Sequence, residues 1–287
     1  MPPQRLSSEY ETGLVEASKS ALLELSFSLG AFRESIVLVG GWAPYFLIEE
    51  FGQRGFPHIG SIDIDLAINP DTIDEDSYAG IIERIEARGY TQKRNKDGDP
   101  IFFSYVKPIT SVVDGKEYLI QVDFLTSRDL SKGRHRHRTV QGNLRARVCE
   151  ESEAAFSHNF TKRISGTLPG NGEAEADILV VDISGSLGMK GIVLGDRYKE
   201  KDAYDIFTVV SECRGSPADV AREMSDHLDD PYIKRGVDII KERFGNIRGI
   251  GPAWVADFLQ PSDATSRDRT IAEVYVKMKE FIENLPS

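Results

Sequence analysis

Two short stretches decide the fold: IVLVGG at residues 36–41 and IDIDLAI at residues 62–68. The first is an apolar, β-branched run closed by two glycines, which predicts a buried strand that ends in a tight turn. The second alternates apolar and polar residues, which predicts a strand with one polar face. Between them, residues 42–51 suit a helix, because Pro44 falls in its first turn.

The remaining chain divides into a mixed half and a helical half. Apolar spacing predicts helices at 8–33 and 71–89, strands at 101–106 and 118–125, and a loop between two short strands at 165–177. From residue 184 the pattern predicts helices at 184–195, 199–213, 217–228, 231–244, 251–260 and 266–284. We therefore expect an α+β protein, with a mixed sheet flanked by helices in residues 1–160 and a mainly helical subdomain in residues 161–287.

Composition excludes several classes of protein. The 287 residues include 46 acidic and 35 basic ones, a net charge of −11, which argues against a general nucleic-acid coat. No stretch is apolar enough to span a membrane, and no basic segment followed by an apolar one suggests a secretory signal, so we expect a cytoplasmic protein. Two cysteines alone make neither a disulfide framework nor a zinc site.

The acidic residues of the second stretch suggest a metal site. On a strand, Asp63 and Asp65 point to the same face, where their charges repel unless a cation lies between them. Asp123 adds another carboxylate from the strand predicted at 118–125. Mg²⁺ prefers one or two carboxylates together with substrate phosphates, so these three residues are candidate catalytic and metal ligands. The alternative is a solvated strand face.

The glycine turn suggests a phosphate site. Gly40 and Gly41 would let the backbone approach an anion, and the N-terminus of the following helix would supply amides and a positive dipole end. Ser61 could donate its hydroxyl to the same phosphates. The alternative is a plain strand–helix turn.

A second charged cluster lies in residues 186–207. Lys190 and Arg197 could contact a triphosphate, and Asp202 and Asp205 would share one face of a helix. The alternative is a pair of charged helices joined by internal salt bridges.

A basic window at residues 128–147 has seven basic residues and one acidic residue, a net charge of +6. Such a cluster beside carboxylates suits RNA phosphates, and Arg134, Arg136 and Arg138 are the candidate contacts. The alternative is a solvated or partner-binding face. His135 and His137 give only a weak metal signal.

The order of these motifs resembles the DNA polymerase β-like nucleotidyltransferase superfamily. There a Gly-Gly or Gly-Ser turn precedes an Asp-x-Asp strand, and another acid lies on a later strand; Gly40, Gly41, Asp63, Asp65 and Asp123 match. The resemblance implies a minimal nucleotidyltransferase core that transfers a nucleoside monophosphate from an NTP to a hydroxyl, with Mg²⁺.

The 186–207 cluster is similar to the second motif of the AbiEii-type nucleotidyltransferase toxins. The matching residues are Lys190, Arg197, Lys199, Lys201, Asp202 and Asp205. This resemblance implies that Lys190 binds phosphate, that Asp205 lies in the active site, that the acceptor is the tRNA 3′ end, and that an antitoxin protein is a possible partner.

Three alternatives remain. Trp42 and Ala43 also resemble the start of antibiotic nucleotidyltransferases, which modify aminoglycosides or lincosamides. An enzyme that nucleotidylates a Tyr or Ser of a partner protein would use the same residues. A non-catalytic binding module with this fold is the third.

Overall fold

The computed structural model describes residues 6–52, 55–69, 71–73, 75–128, 137–141 and 144–286. The chain forms two compact units. We call them the sheet unit, Glu11–Trp42 with Ser61–Val181, and the helical unit, Met1–Tyr10 with Ala43–Gly60 and Asp182–Ser287.

The helices follow the sequence patterns closely. They are α1 Thr12–Ser28, α2 Trp42–Phe51, α3 Glu75–Glu86, α4 Ser152–Ser157, α5 Ile183–Asp196, α6 Glu200–Glu212, α7 Pro217–Ser225, α8 Pro231–Phe244, α9 Ile250–Leu259 and α10 Ala264–Glu283. The helices predicted at 8–33 and 71–89 are shorter than expected, since they span Thr12–Ser28 and Glu75–Glu86. Within the described residues, no helix has both the length and the apolar composition that crossing a bilayer requires.

The described part of the chain contains nine strands in one mixed sheet. They are β1 Ile36–Val39, β2 Asp63–Ile68, β3 Thr91–Arg94, β4 Pro100–Thr110, β5 Glu117–Thr126, β6 His137–Gln141, β7 Leu144–Val148, β8 Asn159–Thr167 and β9 Glu173–Val181. The order is β3-β4-β5-β2-β1-β9-β8, with β7 paired to β5 and β6 paired to β7. The predicted α+β class with a mixed sheet is confirmed.

Alternation along β5 separates a buried face from a more open one. Ile120, Val122 and Phe124 are fully buried, and each such side chain contributes roughly 1.5–3 kcal/mol of burial free energy. Helix α1 packs on this face. Its Glu24 carboxylate forms a 2.6 Å ion pair with Lys107 of β4, the residue that pairs with Ile120 of β5.

Helices α5, α7 and α8 of the helical unit each begin directly after a residue that caps the helix N-terminus. The carboxylate of Asp182 accepts the Gly185 N–H at the start of α5, and Ser216 and Asp230 cap α7 and α8 in the same way, each followed by proline in the first turn. Such caps satisfy backbone donors that have no partner inside the helix.

Several features of the sheet unit differ from the sequence expectation, among them β3 and α4, which were not expected. The loop expected at 165–177 is shorter, because β8 extends to Thr167 and β9 starts at Glu173. Strands β8 and β9 belong to the sheet unit, and the helical unit also includes Ala43–Gly60, so the two units do not divide at residue 160. Strands β6 and β7 lie in the basic window, where no strands were expected.

Candidate active site

The two acidic strands run side by side. Strand β2 pairs with β5 in parallel register, so that Asp63 lies beside Gln121 and Asp65 beside Asp123. Residues paired in this way point to the same side of a sheet. Both Asp63 and Asp65 are half-buried, whereas Ile64 between them is fully buried on the opposite side. We call the side that carries the acids the carboxylate face; it confirms the polar strand face predicted for β2.

Asp123 is the most constrained of the three acids. Its Oδ1 accepts the Ser104 hydroxyl at 2.6 Å, and both of its oxygens accept the Gln121 amide at 2.9 Å. Burial raises the pKa of Asp123, the hydrogen bonds from Ser104 and Gln121 partly oppose this, and the negative charge of Asp63 raises it further. The raised pKa marks a negative charge that its surroundings do not fully compensate.

A lysine also belongs to this cluster. Lys93 of β3 donates a hydrogen bond to the Gln121 side-chain carbonyl and lowers the pKa of Asp123 through its positive charge. The sequence analysis missed Lys93, Ser104 and Gln121. Gln121 precedes Asp123 by two residues on one strand, so strand periodicity could have found it; the other two depend on pairing between strands.

The glycine turn lies directly against Asp65. Gly40 follows Val39, the β1 residue paired with Asp65, and has a φ of +69°. A Cβ atom at Gly40 would lie 2.0 Å from Asp65 Oδ2. Glycine is therefore required at position 40 for two reasons, the backbone conformation and the close approach of the Asp65 carboxylate. Gly41 continues the turn into α2, which starts at Trp42.

Ser61 is buried, and its hydroxyl donates to the backbone carbonyl of Asp63 at 3.1 Å. This hydrogen bond fixes the chain as it enters β2. Its predicted contact with phosphate stays a prediction.

The carboxylate face suits a cation that takes few protein ligands. Among the described residues, no group of three or more His, Cys, Asp and Glu side chains is arranged to enclose a metal ion. Burial raises the pKa of Asp123, and the negative charge of Asp63 adds to this shift. Two carboxylates with open coordination are what Mg²⁺ uses when phosphates and water complete its shell.

The basic window is described only in part. Arg134 and Arg136 lie outside the described residues. Arg138 lies on β6, opposite Ala146 of β7. Arg145 and Arg147 of β7 are exposed, and Arg147 pairs with Leu125, which places both arginines on the carboxylate face.

The second predicted cluster lies within the helical unit. Lys190 of α5 donates to Asp202 at 3.1 Å and to Asp205 at 2.5 Å, both on α6. Arg197 pairs with Asp202 at 3.0 Å, and Lys201 with Asp205 at 2.5 Å. Internal salt bridges, the alternative in the sequence analysis, are thus present. Their members are buried except for Arg197, which is 50% exposed.

The charges in this cluster stay ionised because they are paired. Burial opposes the ionised form of Asp205, but Lys190 and Lys201 outweigh it and hold its pKa well below the ordinary range. Burial likewise opposes the ammonium form of Lys190, but Asp205 and Asp202 raise its pKa. The roles of Lys190 and Asp205 toward a substrate stay predictions.

The sequence analysis found no signal at His58, yet this residue belongs to the same cluster. Its Nδ1 accepts the Gly60 N–H at 3.1 Å, which leaves the proton on Nε2. Nε2 lies 3.3 Å from Asp205 Oδ1, without good hydrogen-bond geometry. Burial lowers the pKa of His58 to about 4, although Asp205 opposes the shift. The ring is therefore neutral at physiological pH.

Comparisons with known proteins add little. No protein-family model matches the chain, and no curated protein is significantly similar to it. Seven solved chains match. One is an H. pylori protein described provisionally as a nucleotidyltransferase, with 13% identity, coverage of 96% of this chain and 97% of that chain, and a TM-score of 0.43. A similarity at this level establishes neither a family nor an activity.

Proposed function

We propose that the protein is a Mg²⁺-dependent nucleotidyltransferase that moves a nucleoside monophosphate from an NTP to an acceptor hydroxyl. The observation that carries this proposal is the alignment of Gly40, Asp65 and Asp123 across β1, β2 and β5. It combines a glycine turn that lies against Asp65 with carboxylates on adjacent strands.

Each residue then has a chemical task. Asp63 and Asp65 would hold the cation, and Asp123, positioned by Ser104 and Gln121, would be the other carboxylate ligand. Bound Mg²⁺ would neutralise phosphate charge and lower the pKa of the attacking hydroxyl. Gly40 and Gly41 let backbone amides approach the triphosphate. Pyrophosphate leaves as the acceptor oxygen bonds to the α-phosphorus.

The resemblance to the AbiEii-type toxins supports finer proposals. It assigns phosphate binding to Lys190 and Arg197 and an active-site role to Asp205. Of the two cations, Arg197 is the more accessible, because Lys190 is buried between two aspartates. The same resemblance suggests the tRNA 3′ end as acceptor, a translation-blocking toxin as the biological role, an antitoxin as partner, and the cytoplasm as location.

A label-transfer assay tests the proposal. Purified protein, Mg²⁺ and each α-labelled NTP would be incubated with total tRNA, with Asp63→Asn as the inactive variant. Asp97→Asn is the matched control, because Asp97 is an exposed turn residue of the same unit. We expect label on tRNA with the unchanged protein and the control, and none with Asp63→Asn.

Other outcomes identify the alternatives. Label on an aminoglycoside or lincosamide would make the protein an antibiotic-modifying enzyme, and label on protein in a lysate would make it a protein-modifying one. Absence of transfer to every acceptor would contradict nucleotidyl transfer altogether.

A further inference from the structure

The carboxylate face carries an aromatic–arginine pair that the proposed chemistry does not use. The guanidinium of Arg145 lies over the ring of Phe102, 4.7 Å from its centroid. Phe102, the third residue of β4, is 38% exposed. Arg145 is exposed as well. The pair therefore exposes planar groups at the protein surface on which another ring can stack.

Strand register places this pair next to the acids. Ser104 of β4 lies opposite Asp123 of β5, so Phe102, two residues earlier, points to the same face. Arg147 of β7 lies beside Leu125 of β5, two residues after Asp123. Neighbouring strands are about 5 Å apart, so the aromatic ring and both arginines border the carboxylates within one compact unit.

Arg145 and Arg147 are among the arginines that form no ion pair within the described residues. Arg128, Arg163, Arg214 and Arg267 each form an ion pair with a nearby carboxylate. Cations without a counter-charge among the described residues, within a basic window of net charge +6, are available to an anionic ligand.

We propose that Phe102, Arg145 and Arg147 form a binding platform for single-stranded nucleic acid. One base stacks on the Phe102 ring and the guanidinium plane of Arg145, and the adjacent phosphates contact the charges of Arg145 and Arg147. An aromatic ring and a guanidinium plane are the surfaces on which unpaired bases stack, and a duplex hides those base faces. This inference rests on the proposed function only in naming the ligand as the acceptor strand; the platform itself is a binding site.

A measurement of RNA binding under conditions that do not allow nucleotidyl transfer tests the platform. A short, fluorescently labelled single-stranded RNA would be titrated with the full chain, without NTP or Mg²⁺, and its anisotropy measured. We expect Phe102→Ala to weaken binding about 5- to 100-fold, the range that loss of one base stack produces. Phe102→Leu should weaken binding similarly, because it keeps an apolar side chain without the ring. Circular dichroism would check that each variant is folded.

Substitutions of Arg145 and Arg147 test stacking and phosphate contact separately. Arg145→Lys keeps the charge but loses the plane that stacks, so it should weaken binding while leaving the salt dependence unchanged. Arg147→Gln should make the salt dependence shallower by about 0.7 in log–log slope, the value for one phosphate contact on a single strand. Arg163→Gln, which removes an exposed arginine paired with Asp177, is the control and should change nothing.

Several results would overturn the proposal. These are wild-type affinity in both Phe102 variants, equal affinity for a duplex of the same sequence, no measurable RNA binding, or displacement of the RNA by low concentrations of free NTP. Failure here is distinguishable from failure of the proposed function. Asp63→Asn should still bind RNA, and transfer that is unaffected by Phe102→Ala would leave the enzyme intact while excluding the platform as the site of its acceptor strand.

Discussion

At the scale of the residue, the tightest constraint lies at Gly40, where a positive φ coincides with the carboxylate of Asp65. We predict that Gly40→Ala abolishes nucleotidyl transfer and destabilises the fold, because the new methyl group would lie 2.0 Å from Asp65 Oδ2. The backbone strain alone costs about 1–3 kcal/mol. Activity and thermal unfolding would be measured together.

The variant Gly98→Ala is a control that introduces backbone strain without a steric clash. Gly98 also has a positive φ, of +88°, but nothing lies within 4 Å of the position that a Cβ atom would occupy. It should lose some stability and keep its activity. Wild-type activity in Gly40→Ala would show that Asp65 does not need its position against the turn.

His58 predicts how stability depends on pH. Its pKa is about 4 in the folded protein and near the ordinary 6.5 in the unfolded chain. Between these values the unfolded chain binds a proton that the folded protein does not, so the free energy of unfolding falls as the pH falls. At about pH 5 the loss relative to neutral pH is about 2 kcal/mol.

Denaturant unfolding of the unchanged protein and of His58→Gln, each at neutral pH and near pH 5, checks this prediction. The carboxylates titrate alike in both proteins, so the difference between the two pH dependences isolates His58. Lys190, Lys201 and Asp205, which face the ring, stay ionised across this range because each is paired. His227→Gln is the control. Parallel pH dependences in the unchanged protein and His58→Gln would refute the buried neutral imidazole.

At the scale of the element, the crossing of α5 and α8 depends on glycines. A Cβ atom at Gly191 would lie 2.2 Å from the backbone oxygen of Gly236, and one at Gly188 would lie 2.8 Å from Ile233 Cα. The two helices therefore approach at backbone distance. We predict that Gly191→Ala destabilises the protein by about 1–3 kcal/mol or more, since neither backbone can move away easily.

Gly30→Ala is the matched control for this crossing, because nothing lies within 4 Å of its would-be Cβ. It should leave the unfolding midpoint nearly unchanged. An unchanged midpoint in Gly191→Ala would mean that α5 and α8 separate at little cost. Chemical denaturation followed by circular dichroism measures both variants.

The sequence predicted the elements better than the contacts between them. The polar face of β2 was predictable because alternation is a local property of one strand. Ser104 and Lys93 were not, because their nearness to Asp123 depends on the register of β3, β4 and β5, which pairs residues distant in the chain. His58 gave no signal for the same reason, since its neighbour Asp205 lies far along the sequence.

In the 186–207 cluster, the motif predicts which residues lie together but not what they do. The three-residue spacing of Asp202 and Asp205 predicts a common face, and both carboxylates do contact Lys190. The motif does not say whether that lysine serves a substrate or the fold. Burial of Lys190 shows that ion pairing is part of its role; binding of phosphate needs a measurement on the protein.

At the scale of the whole molecule, a net charge of −11 contrasts with a local net charge of +6 at residues 128–147. Nucleic-acid binding must then be confined to a small surface, and its salt dependence counts the phosphates involved. Each contact to a single strand contributes about −0.7 to the slope of log affinity against log salt. Arg145 and Arg147 alone would give a slope of about −1.4, or about a sevenfold loss of affinity over a fourfold rise in salt.

Arg134, Arg136 and Arg138 are predicted RNA contacts too, so we expect a steeper slope, of about −3.5, for five contacts. Replacing these three arginines by glutamine should return the slope to about −1.4, while the change Phe102→Ala should lower affinity without changing the slope. Anisotropy titrations of a single-stranded RNA at several salt concentrations would measure all three proteins. A slope near −1.4 in the unchanged protein would exclude the three arginines from the interface. A slope near zero would mean that no basic side chain of the protein contacts RNA phosphates.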